Sequence, residues 1–168
     1  MRLIKLAIIS FVILFLLVTS ISLLIPSTVH ISRATDIRAT KEKLMEQLAI
    51  PANWPNWFPL KGPSKPLYVN GEIRGIIMDS VRETGLLLVG KNDTAAWSTN
   101  AGPGARNITS GWYLHPGNAI GDMTVQWRMD FKLRWYPWEK FASLLFEKQY
   151  GTQMEEGLNR LKAFTENK

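Results

Sequence analysis

The chain has no cysteine and only two histidines, His30 and His115, among its 168 residues. The first absence excludes a disulfide framework, a thiolate zinc site, an iron–sulfur cluster and a cysteine nucleophile. The second leaves little for a hydrolytic triad, which needs a histidine beside a nucleophile and a carboxylate. His30 falls on an expected first strand and His115 in a turn before Pro116, positions where a solvated imidazole is the ordinary outcome. No set of His, Asp or Glu recurs at metal-ligand spacing on one element, and Glu155 and Glu156 read as the wet face of a helix, so no metal or cofactor is expected. An excess of one charge is missing too. Setting aside Arg2 and Lys5 from the 20 basic residues leaves 18 against 14 acidic ones, too small an imbalance for a nucleic-acid footprint.

What is present first is a long apolar run. Residues 6–25, LAIISFVILFLLVTSISLLI, carry no charge, follow Arg2 and Lys5, and are closed by Pro26. As a helix at ~1.5 Å per residue they reach ~30 Å, the thickness of a bilayer's hydrocarbon core. A cleavable signal has an apolar region of only ~7–15 residues followed by small ones, whereas Leu23, Leu24 and Ile25 stand where cleavage would fall. Residues 1–27 therefore read as a retained single-pass signal-anchor and 28–168 as one domain. Basic residues flank the run on both sides, with Arg33, Arg38, Lys41 and Lys43 after it. An apolar segment at the extreme N-terminus is an export signal, which puts the domain on the extracytoplasmic side.

Beyond the anchor, residues 28–37 alternate and read as a strand, and Thr40 is a plausible N-cap for a short helix burying Leu44, Met45 and Leu48. Residues 51–59, with three prolines and two tryptophans, form a helical turn and loop held down by Trp54, Trp57 and Phe58. Lys61 to Pro66 is a second connector. Six further strands follow over 67–69, 72–82, 86–91, 95–99, 107–114 and 119–135. The turns between them fall at Asn70-Gly71, Thr84-Gly85, Asn92-Asp93, Gly102 to Gly104 and Pro116-Gly117, making an antiparallel meander. The strictest alternation runs from Met123 to Trp135, apolar at every odd position. A strand of that length reaches ~43 Å and is expected to curve or bulge. From Pro137 to Asn167 apolar residues recur every three or four positions, predicting one long amphipathic helix. Gly151 and Gly157 each weaken it by ~1 kcal/mol relative to alanine, so one is expected to mark a break and the other a close approach to the sheet.

A curved antiparallel sheet with one apolar face needs a cover, and the C-terminal helix is the available one. The space between a bent sheet and a straight helix is a natural ligand cavity. The chain resembles the START-like, or SRPBCC, superfamily, and within it the polyketide cyclase/dehydrase and lipid-transport type. The resemblance is carried by ISRATDIRA at 31–39 with Leu44 and Leu48, by WPNWFP at 54–59, by MTVQW at 123–127, and by Tyr150-Gly151 through Glu155, Gly157, Leu158, Leu161 and Lys162. It covers residues 28–167 and is loosest over 61–121. It implies an α+β helix-grip fold, a curved sheet wrapped around a long C-terminal helix, with an internal cavity for a hydrophobic molecule.

The seven tryptophans are the other unusual feature. Trp97, Trp112 and Trp127, with Met129 and Phe131 on the last strand and Met154 and Leu158 on the last helix, are the candidate cavity residues, because aromatic and methionine side chains give an adaptable apolar surface. Trp135, Tyr136 and Trp138 cluster at the junction of strand and helix, fitting either a membrane interface or a packed corner. Asp79, Glu83 and Tyr113 are the acid–base candidates, and Asn100 to Gly104 lacks the Gly-Lys-Ser/Thr ending of a phosphate loop. The sequons at Asn92 and Asn107 carry no weight outside a eukaryotic secretory pathway. The resulting expectation is a membrane-anchored binding protein for a hydrophobic small molecule or lipid. An acid–base cyclase, dehydratase or hydrolase and a filled-core interaction module of the same fold are the alternatives.

Overall fold

The computed structural model describes residues 2–60, 62–103, 108–119 and 121–167. Helix α1 (Arg2–Leu23) is followed by β1 (Thr28–Ile37), α2 (Lys41–Ala49) and a 3-10 turn (Pro51–Asn56). Strands β2 (Lys65–Val69), β3 (Glu72–Asp79), β4 (Thr84–Lys91), β5 (Ala95–Ala101), β6 (Ile108–Pro116) and β7 (Met123–Lys132) come next, then α3 (Pro137–Ser143) and α4 (Phe146–Glu166). The strands form one antiparallel sheet in the order β1-β7-β6-β5-β4-β3-β2. This is the α+β helix-grip arrangement, preceded by α1 at the N-terminus.

The period-two pattern of β7 does what alternation predicts: Val125, Trp127 and Phe131 are buried while Arg128 and Lys132 are exposed. The strand is shorter than its pattern, ending at Lys132, and it pairs in unbroken register with both β1 and β6. The irregularities lie elsewhere, at Leu67/Tyr68, Ile77/Asp79 and Leu88/Gly90, so the sheet bends in its β2–β5 half. The β3–β4 turn also differs from expectation: β3 stops at Asp79, Glu83 takes the left-handed backbone (φ 52°), and Thr84 and Gly85 already belong to β4. Asn70 and Gly71, at φ 53° and 82°, make the expected tight hairpin turn. Lys61, Gly104, Asn107 and Ile120, at the edges of expected turns and strands, lie outside the described residues.

The C-terminal segment is two helices rather than one, and neither Gly151 nor Gly157 breaks it. The interruption falls at Leu144 and Leu145, between α3 and α4. Both glycines are close approaches. A Cβ on Gly151 would come within 2.5 Å of Arg33 Nη2, and one on Gly157 within 2.6 Å of the Trp127 ring. Arg33 lies across α4, donating from Nη2 to Glu147 and from Nε to Glu155 at 2.6 Å. Those two glutamates raise its pKa, first through the Glu147 hydrogen bond and then the Glu155 one. Glu155, expected on a solvated face, is thus a tie to β1. At the other end of α4, Lys162 donates to the Asp36 carbonyl at 2.8 Å and Lys43 to that of Thr165, a cation where the helix dipole is negative.

Helix α4 does not cover the sheet alone. Thr40 caps α2 as expected, its Oγ1 accepting from the Lys43 amide, and α2 with the 3-10 turn closes the sheet's other end. Trp54 and Trp57, both fully buried, donate their indole N–H groups to the carbonyls of Leu48 and Gln47 at 2.9 and 3.2 Å. Their rings meet Trp112 at 5.4 and 5.7 Å between centroids, and Trp112 meets Trp127 at 5.7 Å. Four tryptophans therefore fill one end of the inner face, each ring pair adding ~0.5–1.5 kcal/mol beyond the area it buries.

Candidate functional site

Cross-strand register decides which side chains share the inner face, because directly opposite residues point the same way. Ala96 pairs with Trp112 and Ser98 with Ser110. Trp112 pairs with Trp127 and Ser110 with Met129. Trp97, opposite Gly111, therefore lies on the outer face, where its ring covers Gly90. The expectation that Trp97 lines the cavity is corrected by this register: β5 turns its small residues inward and its largest one outward. Tyr113 and His115, one residue either side of the inward Leu114, also face out, so Tyr113 cannot serve as a cavity acid or base. His115 Nε2 lies 3.3 Å from Gln126 Oε1, and His30 Nδ1 lies 2.5 Å from Asp130 on the outer face.

Where the tryptophan cluster ends, the sheet and α4 diverge around a cavity of about 540 Å³, within the ~300–1,000 Å³ of ordinary ligand sites. Trp127 and Met129 from β7, Met78 from β3, Leu86 from β4 and Met154 from α4 form its apolar walls, and the loop after the 3-10 turn adds Phe58, Pro59 and Leu60. Of the other sequence-selected residues, Trp112, Phe131 and Leu158 are buried in the core around the cavity rather than on its surface. The Phe131 ring packs at a tilt against Phe146 and Tyr150, with centroids at 5.0 and 4.7 Å, and Tyr150 lies in the cavity wall. Sequence reasoning missed the lining by Phe58, Pro59, Leu60, Gly62 and Pro63 and by the β3–β4 end, because a loop carries no periodicity from which an inward side can be read.

The wall carries few polar groups: Asp79, Ser80, Asn100, Gln153 and the edges of Tyr150 and Trp127. Asp79 Oδ1 accepts from the Val81 and Arg82 amides at 2.9 and 3.1 Å, holding its own turn closed. Trp127 Nε1 donates to Ser110 Oγ at 2.6 Å, which satisfies the indole and fixes the ring as a wall. Neither histidine lines the cavity, and among the described residues no group of three His, Asp or Glu is placed to hold a metal. The site is thus a mainly apolar cavity with a few polar points on its wall.

These features agree with what the comparisons found. The family described as polyketide cyclase/dehydrase and lipid transport matches residues 28–166. The chain belongs to this family. Solved structures resemble it at low identity, as expected where fold outlasts sequence. A Bacillus thuringiensis protein is 16% identical with a TM-score of 0.58, covering 82% of this chain and 98% of its own. XoxI from Bacillus cereus is 17% identical with a TM-score of 0.58, covering 81% and 94%. The di-domain ARO/CYC StfQ from the steffimycin biosynthetic pathway is 12% identical with a TM-score of 0.61, and 83% of this chain covers 51% of it. Among curated proteins nothing matches. At these identities the neighbours establish the fold of this polyketide cyclase/dehydrase family member, and its chemistry has to be read from its own cavity.

Outside the family match, α1 is the one helix among the described residues long and apolar enough to cross a membrane. A signal sequence near an N-terminus passes the same test.

Proposed function

We propose that this protein binds a hydrophobic small molecule or lipid in the cavity between its sheet and α4, without transforming it. The observation that carries the reading is the lining: a 540 Å³ space walled by Trp127, Met129, Met154, Met78 and Leu86, with Asn100 and Gln153 as isolated polar points. Partition supplies the affinity at ~0.8 kcal/mol per buried CH₂, and Asn100 and Gln153 orient the polar end. The binding reading is supported over the acid–base alternative because Asp79 Oδ1 is engaged by its own turn and both histidines and Tyr113 face away. Trp112, Phe131 and Leu158 act by holding the walls in place.

In the same reading α1 is a retained single-pass anchor over residues 6–25, with residues 28–168 on the extracytoplasmic side. The domain then takes its ligand beside the bilayer that dissolves it. Titration of the full chain with N-phenyl-1-naphthylamine, followed by energy transfer from tryptophan, tests the binding. Saturable one-to-one transfer that a long-chain alcohol displaces supports it, and transfer that rises without saturation overturns it.

A further inference from the structure

Helix α3 is inside out. A helix on a soluble domain buries apolar residues and exposes polar ones. In α3 the buried residues are Pro137, Lys140 and Ser143, while Trp138 and Phe141 are exposed at 64% and 38%. The patch continues on both sides, through Trp135 at 60% before the helix and Leu144 and Leu145 at 66% and 65% after it. Tyr136 stacks on Trp138 at 4.8 Å and nearly parallel, which preorganises the aromatic edge. Arg134 sits over the Tyr136 ring at 5.6 Å.

The polar face is buried for an identifiable reason. Lys140 Nζ donates to the Ile25 carbonyl at 2.7 Å and to Ser27 Oγ at 2.8 Å, in the four residues between α1 and β1. Ser143 Oγ donates to the Lys140 carbonyl, and the Leu133 amide to that of Ser27. Helix α3 is thus fastened to the exit of α1, where Leu23 and Leu24 are exposed apolar side chains. The connector is also short: with β1 starting at Thr28, five steps at no more than ~3.6 Å each keep the domain within ~18 Å of the end of α1.

We propose that Trp135, Trp138, Phe141, Leu144 and Leu145 form a bilayer-docking face that seats the domain flush on the membrane α1 crosses. The occupant is the headgroup and upper acyl region of that bilayer, where tryptophan and tyrosine rings and an amphipathic helix lying in the plane are favoured. Arg134 beside the patch is 70% exposed and lies 3.6 Å from Glu139, so its remaining guanidinium donors stay open to lipid phosphate. The proposal rests on the reading of α1 as a membrane span. Lys140 makes the seating rigid, so the domain is held in one orientation instead of swinging on a tether. Helix α4 begins directly after the patch and carries Tyr150, Gln153 and Met154 of the cavity wall, so the docked face adjoins the wall a lipid-derived ligand would cross.

The absence of cysteine makes the test clean. Single cysteines at Leu14, Leu144 and Asn159 in the full chain, nitroxide-labelled and placed in phosphatidylcholine/phosphatidylglycerol vesicles, report depth through oxygen and aqueous nickel collisions. All three sites are exposed in the fold, so labelling does not disturb packing. The expected result is a several-fold higher oxygen-to-nickel ratio at Leu14 and Leu144 than at Asn159. A bilayer value at Leu14 with an Asn159-like value at Leu144 overturns the docking face and leaves the anchor standing. An aqueous value at Leu14 overturns the anchor reading and the docking face with it.

Discussion

Trp127 of β7 and Gly157 of α4 are fitted to each other: a Cβ at Gly157 would stand 2.6 Å from the Trp127 ring and 2.9 Å from Pro59 Cδ. The glycine lets α4 descend onto a ring that is simultaneously the end of the tryptophan cluster and the beginning of the cavity. Gly157→Ala is expected to destabilise by about 1–3 kcal/mol despite the better helix propensity of alanine, because the Trp127 ring it would strike is held by Ser110 and packed against Trp57, Phe58 and Trp112. Gly151→Ala meets only the end of the Arg33 side chain, so its helical gain offsets the shifted ion pairs and its net effect stays within about 1 kcal/mol. Urea midpoints of the two variants, at unchanged slope, check the contrast.

Two serines opposite each other on β5 and β6 should respond in opposite senses. Ser110 accepts the Trp127 indole N–H, so Ser110→Ala strands a buried donor and is expected to cost about 1–3 kcal/mol. Ser98 Oγ is fully buried with no hydrogen-bond partner among the described residues. Ser98→Ala is expected to be neutral or to stabilise by up to about 1 kcal/mol. Thermal unfolding of the two variants in the same detergent measures both.

Filling the cavity should abolish binding without unfolding the domain. Met78→Trp places a larger ring into open space at the wall, and the expected result is at least a tenfold loss of naphthylamine affinity, about 1.4 kcal/mol. The melting temperature is expected to hold or rise. A variant that melts normally and binds normally contradicts the cavity as the site.

Asp130 supplies the pH dependence. Partial burial pushes its carboxyl upward, but hydrogen bonds from His30 and Arg128, with the charge of Arg128, outweigh that and hold it below the ordinary carboxylate range. A depressed folded-state pKa contributes stability that is present above the unfolded value and is lost as pH falls through the folded one. The wild type is therefore expected to lose this contribution below about pH 4, and Asp130→Asn to flatten that part of the acid stability curve. Urea midpoints from pH 7 down to pH 3 check it.

The sequence made the fold legible where periodicity was unambiguous. Strict alternation from Met123 placed Val125, Trp127 and Phe131 inward, and the Thr40 cap placed α2. It misled where a pattern reports a face but not the partner of that face. Apolar residues at steps of three or four, Trp138, Phe141 and Leu144 and then Met154 and Leu158, read as one buried stripe. The structure turns the first half out and the second half in. Trp97 departs from expectation for a related reason: in AAWSTNA the inward Ala96 sits beside Trp112, which takes the space on that face, and Trp97 is opposite Gly111 on the other. The cavity's outer wall, Phe58 to Leu60 with Gly62 and Pro63, and Met78 to Ser80, follows from bulges and a loop path that no residue spacing encodes.

The central claim is that an apolar molecule occupies the space bounded by Trp127, Met129, Met78 and Met154. The most direct measurement is photo-crosslinking of the full chain in lipid nanodiscs with a diazirine-bearing alkyl probe, followed by peptide mapping of the adducts. The account predicts adducts on Met78, Met129, Tyr150 or Met154 that disappear in Met78→Trp, alongside adducts on α1 that do not. Labelling confined to α1 and α3, and unchanged in Met78→Trp, would contradict it.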